Sequence, residues 1–209
     1  MDAAKRMTAS RHAASCASDA VATELLLSCS MRLGNLVDLR VGESIRRFGD
    51  GRQARWVVDI AAEKVKNRLP LRYVLPPESG QLVEWYLADW QHRWCGPGAP
   101  WLFPDKQGGQ VDPILLSRNI ARRAHRYVGA RITPHQFRHL AAELYFQADP
   151  MGLGVVSQHL GHRKFHTTRK YYAREQTRVA TQRYHELLAR KCAQAMLRRG
   201  RSKQGGQGA

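Results

Sequence analysis

Between residues 18 and 39 the apolar positions recur at intervals of three and four: Val21, Leu25 and Leu26, then Leu33, Leu36 and Val37. That period predicts two helices with a buried stripe, broken near residues 28–31. The period then shortens. Residues 39–45 and 55–60 are rich in β-branched side chains and flank the turn sequence Gly49-Asp50-Gly51, a pattern that predicts two strands joined by a hairpin. A third strand is expected over 72–75. The connection before it carries Lys64, Lys66, Asn67 and Arg68, which predicts a basic hairpin tip. Pro76-Pro77 stops that strand and opens a helix over 79–93, with Leu82, Val83, Tyr86 and Leu87 on one face.

Residues 95–113 are rich in Gly and Pro and read as loop, anchored by Trp101-Leu102-Phe103. A helix follows over 113–129, carrying Arg118, Arg122, Arg123 and Arg126. Thr133-Pro134 opens another, to about Gln147. One more covers 154–160 and ends at Gly161, and a last helical stretch covers 168–197. No internal repeat is visible. The fold class is α+β, mainly helical with a small antiparallel sheet. The expected organisation is a weakly ordered leader over 1–17, one domain over 18–197, and a disordered basic tail over 198–209.

Composition narrows the function. Lys and Arg total 34 against 17 acidic residues, a net charge of +17. A chain this basic is expected to meet a polyanion, and nucleic acid is the commonest. No apolar run is long enough to span a bilayer, and the first 22 residues lack the apolar core of a secretory signal. The four cysteines are scattered with no Cys-x-x-Cys pair, so a zinc ribbon is not supported and reduced thiols are expected. These readings predict an intracellular protein that meets nucleic acid and has no membrane role.

Breaking a phosphodiester without a metal needs cations for the developing negative charge, a nucleophile, and a proton donor for the leaving oxygen. Arginine suits the first task because its planar fork grips two phosphate oxygens and keeps its charge. The densest set of such groups is His135-Gln136-Phe137-Arg138-His139, followed by Leu160-Gly161-His162 and then Thr167-Thr168-Arg169-Lys170-Tyr171. His159 and His162 lie three apart, yet no further ligands are spaced to complete a metal site.

These three pieces, in this order and with the tyrosine nine residues past His162, resemble the tyrosine recombinase (phage integrase) family. Further landmarks agree. Met31-Arg32-Leu33-Gly34-Asn35-Leu36 is similar to the family's first arginine motif. Residues 66–75 are similar to its lysine-bearing β-hairpin, and Trp101-Leu102-Phe103-Pro104 to the segment before its second arginine. The resemblance covers residues 18–184 and implies the family's catalytic-domain fold, which is similar to that of type IB topoisomerases.

The resemblance also implies roles. Arg32 and Arg138 clamp the scissile phosphate, and His162 adds a hydrogen bond to it. Lys66 protonates the leaving 5′ oxygen. His135 accepts the proton of Tyr171, which forms a 3′-phosphotyrosine link. A 5′ hydroxyl from a partner strand then reverses the attack. No ATP, cofactor or metal is needed. The partner is double-stranded DNA, with a tetramer assembled on paired sites and residues 177–197 able to pack on a neighbouring subunit. Contacts to DNA are expected from Lys64, Arg68, Arg118, Arg122, Arg123, Arg126, Arg163 and Lys164. Two choices stay open: Lys64 against Lys66, because on a strand both point to one face, and Tyr172 against Tyr171, because neighbours on a helix point about 100° apart.

The sequence departs from the family at Asn35, where an acid normally orients the first arginine, and at Ser30, where glycine is usual. Only 31 residues precede Arg32, too few for the helical core-binding domain of full-length members. That implies either a short member, like the fimbrial-type inversion enzymes, or a truncated integrase that binds DNA without cutting it. A topoisomerase-like relaxing enzyme is a third expectation from the same residues.

Overall fold

The computed structural model describes residues 2–51, 54–149 and 152–161, together with 181, 184–187 and 190, with side chains from Ser10 onward. Its first element, α1, runs unbroken from Asp2–Cys29. The apolar period predicts its start near Ser18, after a leader over 1–17. The helix extends further because the segment holds no Gly or Pro and is rich in alanine, the best helix former. Ala14, Ala17, Val21, Leu25 and Cys29 form its buried stripe. The break expected at 28–31 is present. Ser30 sits at φ 49°, and α2 follows over Leu33–Val37.

The sheet has three antiparallel strands in the order β1 (Ile45–Phe48), β2 (Arg55–Ile60) and β3 (Leu71–Val74). Ile45 pairs with Val58, and Val58 with Tyr73. The first strand begins later than the pattern suggested. Gly42, at φ 80°, turns the chain after Arg40, which bridges Trp101 instead. The connection from β2 to β3 is not a simple hairpin tip. It holds a short 3₁₀ turn over Ala62–Lys64, and Val65 is buried beneath it.

The helix expected over 79–93 divides at Trp90 into α3 (Pro77–Asp89) and α4 (Gln91–Cys95). The Gly/Pro-rich loop is tied to α4, since Gln91 Nε2 donates to the Trp101 carbonyl and Trp94 Nε1 to that of Pro104. Asp112 caps α5 (Pro113–Val128), accepting from the Ile114 and Leu115 amides. At the start of α6 (Pro134–Ala148), Gln136 Oε1 accepts from the Thr133 amide at 2.7 Å. A short α7 covers Leu153–His159.

Helix α1 packs on α3, α4, α5 and α6. The main core gathers Leu25, Leu26, Met31, Leu36, Ile45, Val58, Tyr86, Leu102, Phe103 and Leu116. A second cluster, Ala142, Phe146, Val156 and Leu160, joins α6 to α7. Among the described residues no helix is long and apolar enough to cross a membrane. The expected helix over 168–197 lies mostly outside the described residues, and the tail over 198–209 lies wholly outside them. Residues 181, 184–187 and 190 are helical.

Candidate active site

The site forms where the break after α1, the end of α7 and the β2–β3 connection converge. Arg138, on α6, is 6% exposed. Its Nη1 donates to the Ser30 carbonyl, and its Nη2 to the Leu160 carbonyl at 2.7 Å. Burial, together with the neighbouring positive charge of Arg32, lowers its pKa to about 10. It therefore keeps its charge at neutral pH while holding two backbone segments together.

Arg32 stands at the N-cap position of α2, in extended backbone. Its Nη1 is buried and has no hydrogen-bond acceptor among the described residues. Two guanidinium groups thus face a shared region, and one carries an unused buried donor. Such a donor is costly unless an acceptor arrives. Asn35, one turn along α2, is also buried, and its Nδ2 likewise lacks an acceptor among the described residues. An acid at that position would bring acceptor oxygens in place of that amide donor.

The end of α7 is gripped by side chains at three successive carbonyls. Tyr73 Oη donates to His159 O at 3.1 Å, Arg138 to Leu160 O, and Asn67 Nδ2 to Gly161 O at 2.9 Å. The Tyr73 and His159 rings meet edge to face at 5.7 Å. Burial, with a smaller push from Cys29, raises the Tyr73 hydroxyl to about 12, so it stays a donor. Burial and then Arg138 lower the pKa of His159. Gly161 has φ 60°, and a Cβ there would lie 2.6 Å from Leu71 Cδ2. Glycine suits this left-handed turn because a side chain there would have to displace the end of Leu71.

The two candidate lysines differ. Lys64 lies in the 3₁₀ turn and donates to Glu43 Oε1 at 3.0 Å, and this bond lowers the Glu43 pKa. Lys66 lies beyond the turn and is exposed. They do not share a strand face, because neither is on a strand. His135 and Arg138 also part company: Arg138 points inward, while His135 is exposed in the first turn of α6, edge-on to His139 at 4.8 Å. Burial, then His135 and Arg138, lower the pKa of His139.

On α5, Arg118, Arg122 and Arg126 are exposed along one stripe. Arg122 donates to Asn119 Oδ1 at 3.1 Å, and Arg126 lies over the Tyr127 ring. Arg123 turns away and pairs with Asp19 at 2.6 Å. Arg68 is exposed, at φ 53°. His162, Arg163, Lys164, Tyr171 and Tyr172 lie outside the described residues. Asn67 and Tyr73 carry contacts that sequence reasoning did not assign them, because their partners are backbone carbonyls 94 and 86 residues away.

The model of the phage integrase family matches residues 1–178. Three solved structures share the fold. The XerH site-specific recombinase bound to its difH substrate, before cleavage, superimposes with a TM-score of 0.59 at 19% identity, over 74% of this chain and 42% of that one. XerH after cleavage of palindromic difH gives 0.61 at 18%, over 78% and 44%. The XerA recombinase gives 0.55 at 20%, over 82% and 58%. The chain therefore spans roughly half the length of these structures. No curated protein matches it.

Proposed function

Since the chain belongs to the phage integrase family of tyrosine recombinases, we propose that it is a site-specific recombinase that cleaves and rejoins DNA through a 3′-phosphotyrosine intermediate. The observation that carries this reading is the arginine pair. Arg138 is anchored and charged beside Arg32, whose buried Nη1 has no acceptor among the described residues. A phosphate oxygen supplies that acceptor and offsets the repulsion between the two cations.

In this reading Arg32 and Arg138 bind the non-bridging oxygens and stabilise the negative charge that grows as the phosphate becomes pentacoordinate. Tyr171 Oη attacks phosphorus, with His135 taking its proton and His162 adding a hydrogen bond to the phosphate. The P–O5′ bond breaks, and Lys66 protonates the departing O5′. Lys66 is preferred to Lys64 because Lys64 is engaged by Glu43. Attack by a 5′ hydroxyl of a partner strand then reverses each step. The energy of the broken bond is kept in the tyrosyl ester, so no nucleotide cofactor is required.

Double-stranded DNA is the partner. Arg118, Arg122 and Arg126 form a phosphate-contacting stripe, joined by Lys64, Arg68, Arg163 and Lys164. Recombination between two sites calls for a tetramer of this chain. The reading is tested by mixing the protein, in EDTA, with a labelled and an unlabelled duplex from the flanks of its own gene. Recombinant strands support it. Tight binding without any exchanged or cleaved strand would instead make the chain a DNA-binding remnant.

A further inference from the structure

Three consecutive carbonyls close α7, and each takes a donor from a different segment: Tyr73 of β3 at His159, Arg138 of α6 at Leu160, and Asn67 of the β2–β3 connection at Gly161. The last carbonyls of a helix lack partners within it, so capping them is expected. A helix end leaves four carbonyls unpaired, so what is specific here is that the three donors come from three different elements. Tyr73 and Arg138 already fix the end of α7, and Gly161 is seated against Leu71. The Asn67 contact falls on Gly161, past the C-cap Leu160 and so outside the helix itself. Its effect falls on the other partner, the connection over 61–70.

That connection is also held by Lys64 Nζ, which donates to Glu43 Oε1 at 3.0 Å, but among the described side-chain hydrogen bonds it is Asn67's that ties it to the end of α7. Val65 is buried, and the Arg68 amide donates to the Val65 carbonyl at 2.8 Å. Lys66, directly before Asn67, is exposed, and no described carboxylate pairs with it. A lysine on a flexible four-carbon stem samples a wide volume. Asn67 limits that volume from the backbone end.

We propose that Asn67 is a positioning residue. Its amide ties the Lys66 loop to the Gly161 carbonyl, so the proton donor keeps a fixed relation to the Arg138-anchored turn that leads to His162. The proposal rests on the recombinase reading and deepens it.

The test uses one duplex from the flanks of the protein's gene, its cleaved phosphate first mapped from the covalent adduct. It is prepared in two forms, with oxygen or with sulfur at the leaving 5′ position. When P–O5′ breaks, the electron pair on oxygen must take a proton, whereas a departing thiolate needs none. Asn67→Ala should slow cleavage of the oxygen form about 10- to 100-fold, yet come within roughly threefold of wild type on the sulfur form, as Lys66→Ala should. Asn67→Asp keeps the shape and turns an acceptor toward the carbonyl. It should give the same split, and it replaces Asn67→Ala if the latter unfolds at the assay temperature. Equal slowing on both forms, or wild-type rates on the oxygen form, overturns the proposal alone. A wild-type protein that cuts neither form overturns the recombinase reading and the proposal with it.

Discussion

Arg138 Nη2 donates to the Leu160 carbonyl at 2.7 Å while its Nη1 reaches the Ser30 carbonyl, so one guanidinium joins the break after α1 to the end of α7. The geometry needs a planar fork, which lysine lacks. Arg138→Lys should therefore leave at least one buried carbonyl short of its donor and cost about 1–3 kcal/mol in urea denaturation. Its cleavage rate should fall on the order of 10²–10³-fold, the usual loss when one charge-stabilising donor is removed. Near-normal stability with near-normal cleavage would show that the fork is dispensable.

Asp19, 2% exposed, holds Arg123 at 2.6 Å. Arg123→Met strands a buried carboxylate and should destabilise the fold by about 3–5 kcal/mol, and adding Asp19→Asn should recover much of that. The pH dependence follows from the direction of the shift. Burial already raises the Asp19 pKa above 3.8 and outweighs the pull of Arg123. An acid raised in the folded state favours folding below its unfolded pKa and loses that advantage as pH rises through the folded value. Without Arg123 the folded value climbs further, so the deficit of Arg123→Met should shrink as pH is lowered from 7 to 5. Thermal melts of both proteins at the two pH values check this.

The same pairing separates the four arginines of α5. Arg118, Arg122 and Arg126 are exposed, and each change to Gln should flatten the slope of log K against log salt by about 0.9. Arg123→Gln should change that slope much less, because its guanidinium is committed to Asp19. Filter-binding titrations across a salt series distinguish the two behaviours.

Ser30 occupies φ 49°, a left-handed backbone, and its buried Oγ has no partner among the described residues. Left-handed backbone costs a non-glycine residue roughly 1–2 kcal/mol, and the unpaired hydroxyl adds to that. Glycine at this position relieves both at some cost in chain entropy. Ser30→Gly should raise stability by about 1 kcal/mol, read as a higher urea midpoint with an unchanged slope.

His159 and His139 both have pKa values below 6.5, with burial as the main cause. A histidine depressed in the folded state binds fewer protons than in the unfolded chain. Its contribution is intact above pH 6.5 and is lost as pH falls through the folded value. Wild-type stability should therefore decline below that pH, and His159→Gln should decline less steeply.

The elements were legible wherever a period or a cap was local. Pro113, Thr133-Pro134 and Gly161 marked bounds of α5, α6 and α7 to within a residue or two. The first strand was misplaced because the β-branched run from Leu39 to Ile45 includes Gly42, whose turn the composition alone does not weigh. The N-terminal reach of α1 was not legible because residues 2–17 are alanine-rich and carry little hydrophobic contrast. At the site, the motif around Arg138 was visible, but its fork onto Ser30 and Leu160 was not. Those contacts span 108 and 22 residues and end on backbone oxygens, which carry no sequence signature. The same holds for Asn67 and Tyr73. Lys64 and Lys66 became distinguishable only when the 3₁₀ turn carried Lys64 to Glu43.

In the proposed reaction Tyr171 carries the cleaved strand. Purified wild type, Tyr171→Phe and Tyr172→Phe should be incubated in EDTA with labelled, nicked duplexes from the flanks of the gene and resolved on a denaturing gel. Wild type and Tyr172→Phe should give a covalent protein–DNA band and Tyr171→Phe none, as the Tyr171 assignment requires. A band that persists in Tyr171→Phe, or no band from wild type on DNA it demonstrably binds, would contradict it.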